Sequence, residues 1–166
     1  MVKWILLVIL AGAAWWHFDY SHRMTETQIN AAYADHVDAF RRFDADAICA
    51  HMSEDFVGDE TVRQGEQSVQ RHYGKEDLCK QMRRNLDLMK RLSAASGGLI
   101  ELDIELEIKS IELTVNRKLA TVETVYTARL GDMTLARERT TEHLIRRNGR
   151  ILSTDAESKV WAYSPQ

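Results

Sequence analysis

Residues 99–115 read LIELDIELEIKSIELTV, and their alternation decides the fold. Ile100, Leu102, Ile104, Leu106 and Ile108 fall on one face of an extended chain, and Glu101, Asp103, Glu105 and Glu107 on the other. After Ile108 the apolar set changes parity and continues at Ile111, Leu113 and Val115. A strand that keeps both runs inward therefore needs a β-bulge or sharp bend near Lys109-Ser110. A long bent strand of this kind forms the spine of a curved sheet.

Downstream, Asn116-Arg117-Lys118 is a turn, 119–130 a strand, Gly131-Asp132 a second turn and 134–147 a further strand. Asn148-Gly149 predicts a type I′ hairpin that folds 150–162 back antiparallel. Upstream the pattern is helical. Thr25-Glu26-Thr27-Gln28 is a capping box, and Ile29, Tyr33, Val37 and Phe40 share a helix face with Ala32 and His36 beside it. Asp44 caps a short second helix carrying Ala47, Ile48 and Met52. A third helix spans 75–92 with Leu78, Met82, Leu86 and Met89 inward. Residues 56–72 show little periodicity and read as a short strand at Phe56-Val57 followed by loop. The expectation is a segregated α+β domain.

The chain of 166 residues carries a formal charge of −3 and no basic stripe interleaved with aromatics, which argues against a nucleic-acid partner. Residues 1–23 stand apart from the domain at 24–166. Trp4 to Trp16 carries no charge, Lys3 is a positive flank, and Trp15, Trp16, Phe18 and Tyr20 resemble an interfacial aromatic belt. Two readings stand. Residues 4–20 anchor the chain in an inner membrane with the domain in the periplasm, or Ala11-Gly12-Ala13 is a signal-peptidase site whose cleavage releases it. Either way the domain is exported, and Cys49 and Cys79 are then expected to pair. The alternative is two buried thiols acting as small hydrophobes.

A long aromatic-bearing first helix from Tyr33-Ala34-Asp35, then Asp44-Ala45-Asp46-Ala47 and Ser53-Glu54-Asp55-Phe56, a third helix and a bent antiparallel sheet resemble the nuclear transport factor 2-like superfamily, in its SnoaL-like group. The resemblance covers about residues 25–162. It implies a cystatin-like cone with the helices packed in the concave face of a strongly curved antiparallel sheet. Members include isomerases, dehydratases and hydrolases as well as non-catalytic modules, so fold alone selects no function.

Pairing the last hairpin around Asn148-Gly149 sets Ile145 against Leu152, His143 against Thr154, Thr141 against Ala156, Arg139 against Ser158 and Arg137 against Val160. His143, Thr141, Arg139 and Arg137 then line the concave side near Tyr126, while Glu142, Thr140 and Glu138 face solvent. Such a lining suits a small polar or anionic ligand. No carboxylate joins that lining. His36 with Asp35 or Asp38 is the one local His-Asp match, but Asp35 and His36 are adjacent and point to different sides of the helix. His51 and His72 have no ligand-like spacing to Cys49 or Cys79 and so form no metal set. No glycine-rich phosphate loop implies a cofactor. The expected function is a membrane-tethered, non-catalytic binding or assembly module of the cell envelope, with a homodimer or an envelope protein as partner. The alternative is a small-molecule isomerase, dehydratase or hydrolase.

Overall fold

The computed structural model describes residues 9–12, 21–97, 102–130 and 133–163. Of the apolar 4–20 segment only 9–12 fall among these, as a helical turn; the rest of that segment, residues 98–101 and the turn at Gly131-Asp132 lie outside the described residues. Among the described residues no helix is long and apolar enough to cross a membrane.

The elements run α1 (Glu26–Arg41), α2 (Ala45–Cys49), β1 (Met52–Gln64), β2 (Gln67–Gly74), α3 (Lys75–Ala95), β3 (Leu102–Leu113), β4 (Leu119–Leu130), β5 (Met133–Arg147) and β6 (Arg150–Ala162). The strands form a six-stranded sheet in the order β2-β1-β6-β5-β4-β3. All neighbours are antiparallel except β1 and β6, which are parallel. The helices pack on its concave side, giving the α+β cone.

Local chemistry sets the boundaries. Thr25 accepts from the Gln28 N–H at 3.3 Å, and Gln28 accepts from the Thr25 N–H at 3.1 Å. Asp44 accepts from the Ala47 N–H at 3.0 Å to start α2. Asn148 and Gly149 adopt φ of 52° and 77°, as a type I′ turn requires. In β3 the register shifts between Ile108 and Ser110, so Lys109 is the extra residue, and Leu106 and Ile108 before it and Ile111 and Leu113 after it pack against the same apolar cluster.

The strand expected at Phe56-Val57 is part of β1. The loop expected after it, up to residue 72, is instead the rest of the β1–β2 hairpin, whose two-residue turn places Gly65 at φ 60°. Its second strand escapes hydrophobic periodicity because it forms the sheet's outer edge. Every residue of β2 before Tyr73 is exposed, so neither face is selected for apolar side chains.

Two apolar clusters fill the cone. In one, Ile29 and Tyr33 of α1 meet Met24, Ala120, Val122 and Leu144, with Leu106, Ile108, Ile111 and Leu113 of β3 packed against them. In the other, Ala39, Ala45, Ile48 and Met52 meet Phe56, Leu86 and the Cys49–Cys79 pair. These cysteines are joined in a disulfide between α2 and α3, with Cα atoms 5.8 Å apart.

Candidate functional site

Where the two clusters face each other they leave a cavity of about 340 Å³, bounded by α1, α3 and the concave face of β1, β6, β5 and β4. Its walls are apolar and aromatic at Phe40, Met52, Phe56, Leu78, Met82 and Ile104. Its floor carries Glu138, Thr140 and Glu142 of β5, Tyr126 of β4 and Glu60 of β1. From the helix side, Tyr33 and His36, about one turn apart on α1, project onto that floor.

Glu142 is the centre of the arrangement. Leu144, two residues on, is buried in the first apolar cluster, and strand alternation turns Glu142 to the same side. The Tyr33 hydroxyl donates to the Glu142 carboxylate. Burial, which penalises the charged form, raises the Glu142 pKa from 4.5 to about 7; the Tyr33 hydrogen bond opposes the shift, and the charges of Glu138 and Asp155 add to it. Burial also raises the phenols of Tyr33 and Tyr126, with the Glu142 charge as the next contribution, so both are neutral donors at physiological pH.

His36 lies in the same wall with its ring 6.5 Å from that of Tyr126 and 5.5 Å from that of His51, centroid to centroid. Burial, then the neighbouring His51, lowers its pKa from 6.5 to about 4, so it is a neutral imidazole at pH 7. The backbone fixes His51 in place: its carbonyl accepts from the Ser153 N–H at 2.8 Å, where the chain enters β1. Deeper along β5, Thr140 donates to Glu138 at 3.0 Å and bonds Ser158 at 2.9 Å. The site thus places an ionisable carboxyl poised near neutrality beside neutral phenol and imidazole donors.

Of the lining expected from sequence, the structure puts Tyr126 in this cavity and Arg137, Arg139, Thr141 and His143 on the opposite face of the sheet. Arg139 pairs there with Glu123 at 2.9 Å and His143 with Asp155 at 2.5 Å. Thr141 and His143 border a shallow outer groove with Asp59, His72 and Glu157. The hairpin register follows the expected pairing through Ile145 and Leu152. It then shifts, because Thr154 is a bulge and His143 pairs with Asp155. The bulge is held by the Thr154 hydroxyl, which donates to the His143 carbonyl at 3.1 Å.

Glu142, Glu138 and Thr140, read from sequence as the solvated face, are therefore the floor of the site. Polarity misassigned the face, since this cavity is itself polar on its sheet side. Leu144 was the residue whose parity could have located it. Among the described residues no cluster of three or more histidines, cysteines or acids is arranged to hold a metal.

No protein-family model and no curated protein matches the sequence. Solved structures do match in fold. A conserved protein from Planctomyces limnophilus superimposes with a TM-score of 0.60 at 14% identity, over 83% of this chain and 97% of that one. A candidate scytalone dehydratase from Novosphingobium aromaticivorans does so at 0.56 and 13% identity, over 84% and 88%. A ketosteroid isomerase-like protein from Erwinia carotovora atroseptica does so at 0.50 and 20% identity, over 86% and 100%. Others are described as cystatin-like or nuclear transport factor 2-like. The chain therefore has the cystatin-like cone fold that these structures share.

Proposed function

We propose that the cone is a small-molecule acid–base enzyme of the isomerase or dehydratase type, with Glu142 as the proton-transferring group. One observation carries this reading: a buried carboxyl in a ligand-sized cavity, bonded by Tyr33, with a pKa of about 7. The expectation of a non-catalytic module rested on a concave face without a carboxylate, and Glu142 occupies that face. Proteins sharing the fold include ones named for isomerase and dehydratase activities, which supports the class by analogy only.

In this reading ionised Glu142 removes a proton from a carbon next to a substrate carbonyl. The C–H electron pair becomes the second bond between that carbon and the carbonyl carbon, the C=O π pair moves onto oxygen, and the oxyanion that develops is met by a neutral donor, Tyr126 or His36. Protonated Glu142 then returns its proton, to another carbon in an isomerisation or to a departing hydroxyl in a dehydration. Tyr33 holds the carboxyl in register throughout.

The test needs no known substrate. Cyclic enones and β-hydroxyketones incubated with the protein in D₂O should exchange their α-hydrogens, followed by proton NMR. Glu142→Gln should slow that exchange by about 100-fold or more, with the fold retained by circular dichroism. Exchange no faster than in buffer, or undiminished in the variant, would overturn the reading.

We further propose that residues 24–166 function outside the cytoplasm behind the 4–20 segment. The positive flank at Lys3 supports this, as does the Cys49–Cys79 disulfide, a bond that persists in oxidising compartments. A C-terminal alkaline phosphatase fusion, active only after export, should be active. A fluorescent reporter that matures only in the cytoplasm should stay dark, and the reverse pattern would reject export.

A further inference from the structure

The charges around the cavity are one-sided. Among the described residues three carboxylates, Glu60, Glu138 and Glu142, line it, and no lysine or arginine does. His36 adds no compensating charge, being neutral at pH 7. Glu142 has Tyr33 as its partner, but the other two carboxylates are poorly served. Glu138 accepts from Thr140. Among the described residues Glu60 has only the half-exposed Arg71 guanidinium, 3.8 Å away and beyond hydrogen-bond distance.

Glu60 and Glu138 share the concave face two strands apart: Glu60 pairs with Ser158 on β6, Ser158 with Thr140 on β5, and Glu138 is the next residue of that face beyond Thr140. Strands two apart are separated by about 10 Å, which leaves room for a small group between the carboxylates. Tyr73 completes the wall. A Cβ at Gly58 would stand 2.2 Å from the Tyr73 ring, so the missing side chain at 58 is what allows that ring to lie over β1 beside Glu60. A carboxylate pair beside an aromatic ring is the environment that binds ammonium groups. On the helix side, the enclosed His36 ring faces the cavity and has no hydrogen-bond partner among the described residues, so it is free to meet a polar group of a ligand.

We infer that the ligand of this cavity is a small amine, its ammonium group seated between Glu60 and Glu138 against Tyr73, its apolar body along the Phe56, Leu78 and Met82 wall, and its polar far end toward Glu142, Tyr33 and His36. This deepens the acid–base reading and rests on it only in taking the cavity as the substrate site. It also reverses the sign expected from an arginine lining, because Arg137 and Arg139 stand on the other face of the sheet. An anion would meet three carboxylates and no cation.

The test uses cyclohexylamine, cyclohexanol and cyclohexanecarboxylate, matched in shape and different in charge, titrated into the full domain at pH 7.5 by NMR shift perturbation. The amine should bind at least 10-fold more tightly than the alcohol, and the carboxylate should not bind. Glu138→Gln and Glu60→Gln should each weaken the amine about 10-fold and leave the alcohol unchanged. Glu138→Asp, which keeps the charge, should retain the preference and guards against a merely structural effect.

Equal affinity for amine and alcohol, no binding of either, or an amine affinity indifferent to both substitutions would overturn the inference. The two proposals fail separately. Glu142-dependent exchange without amine preference removes this one alone, and amine preference without exchange removes catalysis alone.

Discussion

A variant carrying Cys49→Ala and Cys79→Ala should lose about 3–4 kcal/mol of stability in urea or guanidinium unfolding. The bond closes a segment of 30 residues that contains the whole β1–β2 hairpin. In the chain-entropy account, closing such a loop restricts the unfolded ensemble by about that amount. The native state offers little to replace it. Helix α2 is only five residues long, and beside its apolar contacts the ion pair that links it to α3, Arg83–Asp46 at 2.8 Å, is exposed and of a kind worth about 0–1 kcal/mol.

Both sulfurs are buried, with Cys49 5% and Cys79 4% exposed, so the alanines also leave a void in the second apolar cluster. For a domain of this size the expected fall in melting temperature is about 10 °C. Reduction of the wild type should reproduce it. A variant melting within about 2 °C of wild type would show that α2 and α3 are held by other contacts. The consequence reaches the site, since Leu78 and Met82 of α3 and Met52 after α2 wall the cavity.

What the sequence made legible follows where burial is purely aliphatic or where a turn has one chemistry. The Ile and Leu runs of β3 have only one way to be buried, and the change of parity after Ile108 could mean only a bulge, observed at Lys109. Asn148-Gly149 set the β5–β6 turn for the same kind of reason, because both positions need positive φ. The β2 half of the first hairpin was illegible because an exposed edge selects no pattern.

The site failed for a different cause. In β5 the apolar neighbours Leu144 and Ile145 compete to set the parity, only the buried Leu144 gives the right one, and charge density then pointed the arginines and His143 inward. A polar cavity inverts that rule: Glu138, Thr140 and Glu142 are on the enclosed face, and the arginines find solvent and Glu123 outside. Tyr33 and His36 were visible as one face of α1, yet their meaning depended on which face of β5 lay opposite.

Glu142→Gln should make the protein more stable at alkaline pH while removing its proton transfer. The carboxyl titrates near 4.5 when exposed in the unfolded chain and at about 7 in the folded one, so the folded state binds that proton more tightly. Its contribution to stability is complete below pH 4.5 and is lost as the pH rises through 7. A shift of this size corresponds to about 3 kcal/mol. His36 works in the opposite direction: lowered from 6.5 to about 4, its contribution is complete above pH 6.5 and is lost as the pH falls through 4. Between pH 4.5 and 6.5 the two slopes oppose each other in the wild type, so its own stability curve reveals neither. The difference between variant and wild type isolates Glu142, because Gln keeps an acceptor for the Tyr33 hydroxyl but carries no charge to desolvate. That difference should be near zero at pH 4.5 and grow to about 3 kcal/mol in favour of the variant above pH 7.5, a rise in melting temperature of about 6–12 °C. A difference that stays flat with pH would mean that Glu142 keeps an ordinary carboxylate pKa, and the poised general base would go with it. A rising difference together with lost exchange activity would mark Glu142 as a group whose destabilising charge the fold retains for catalysis.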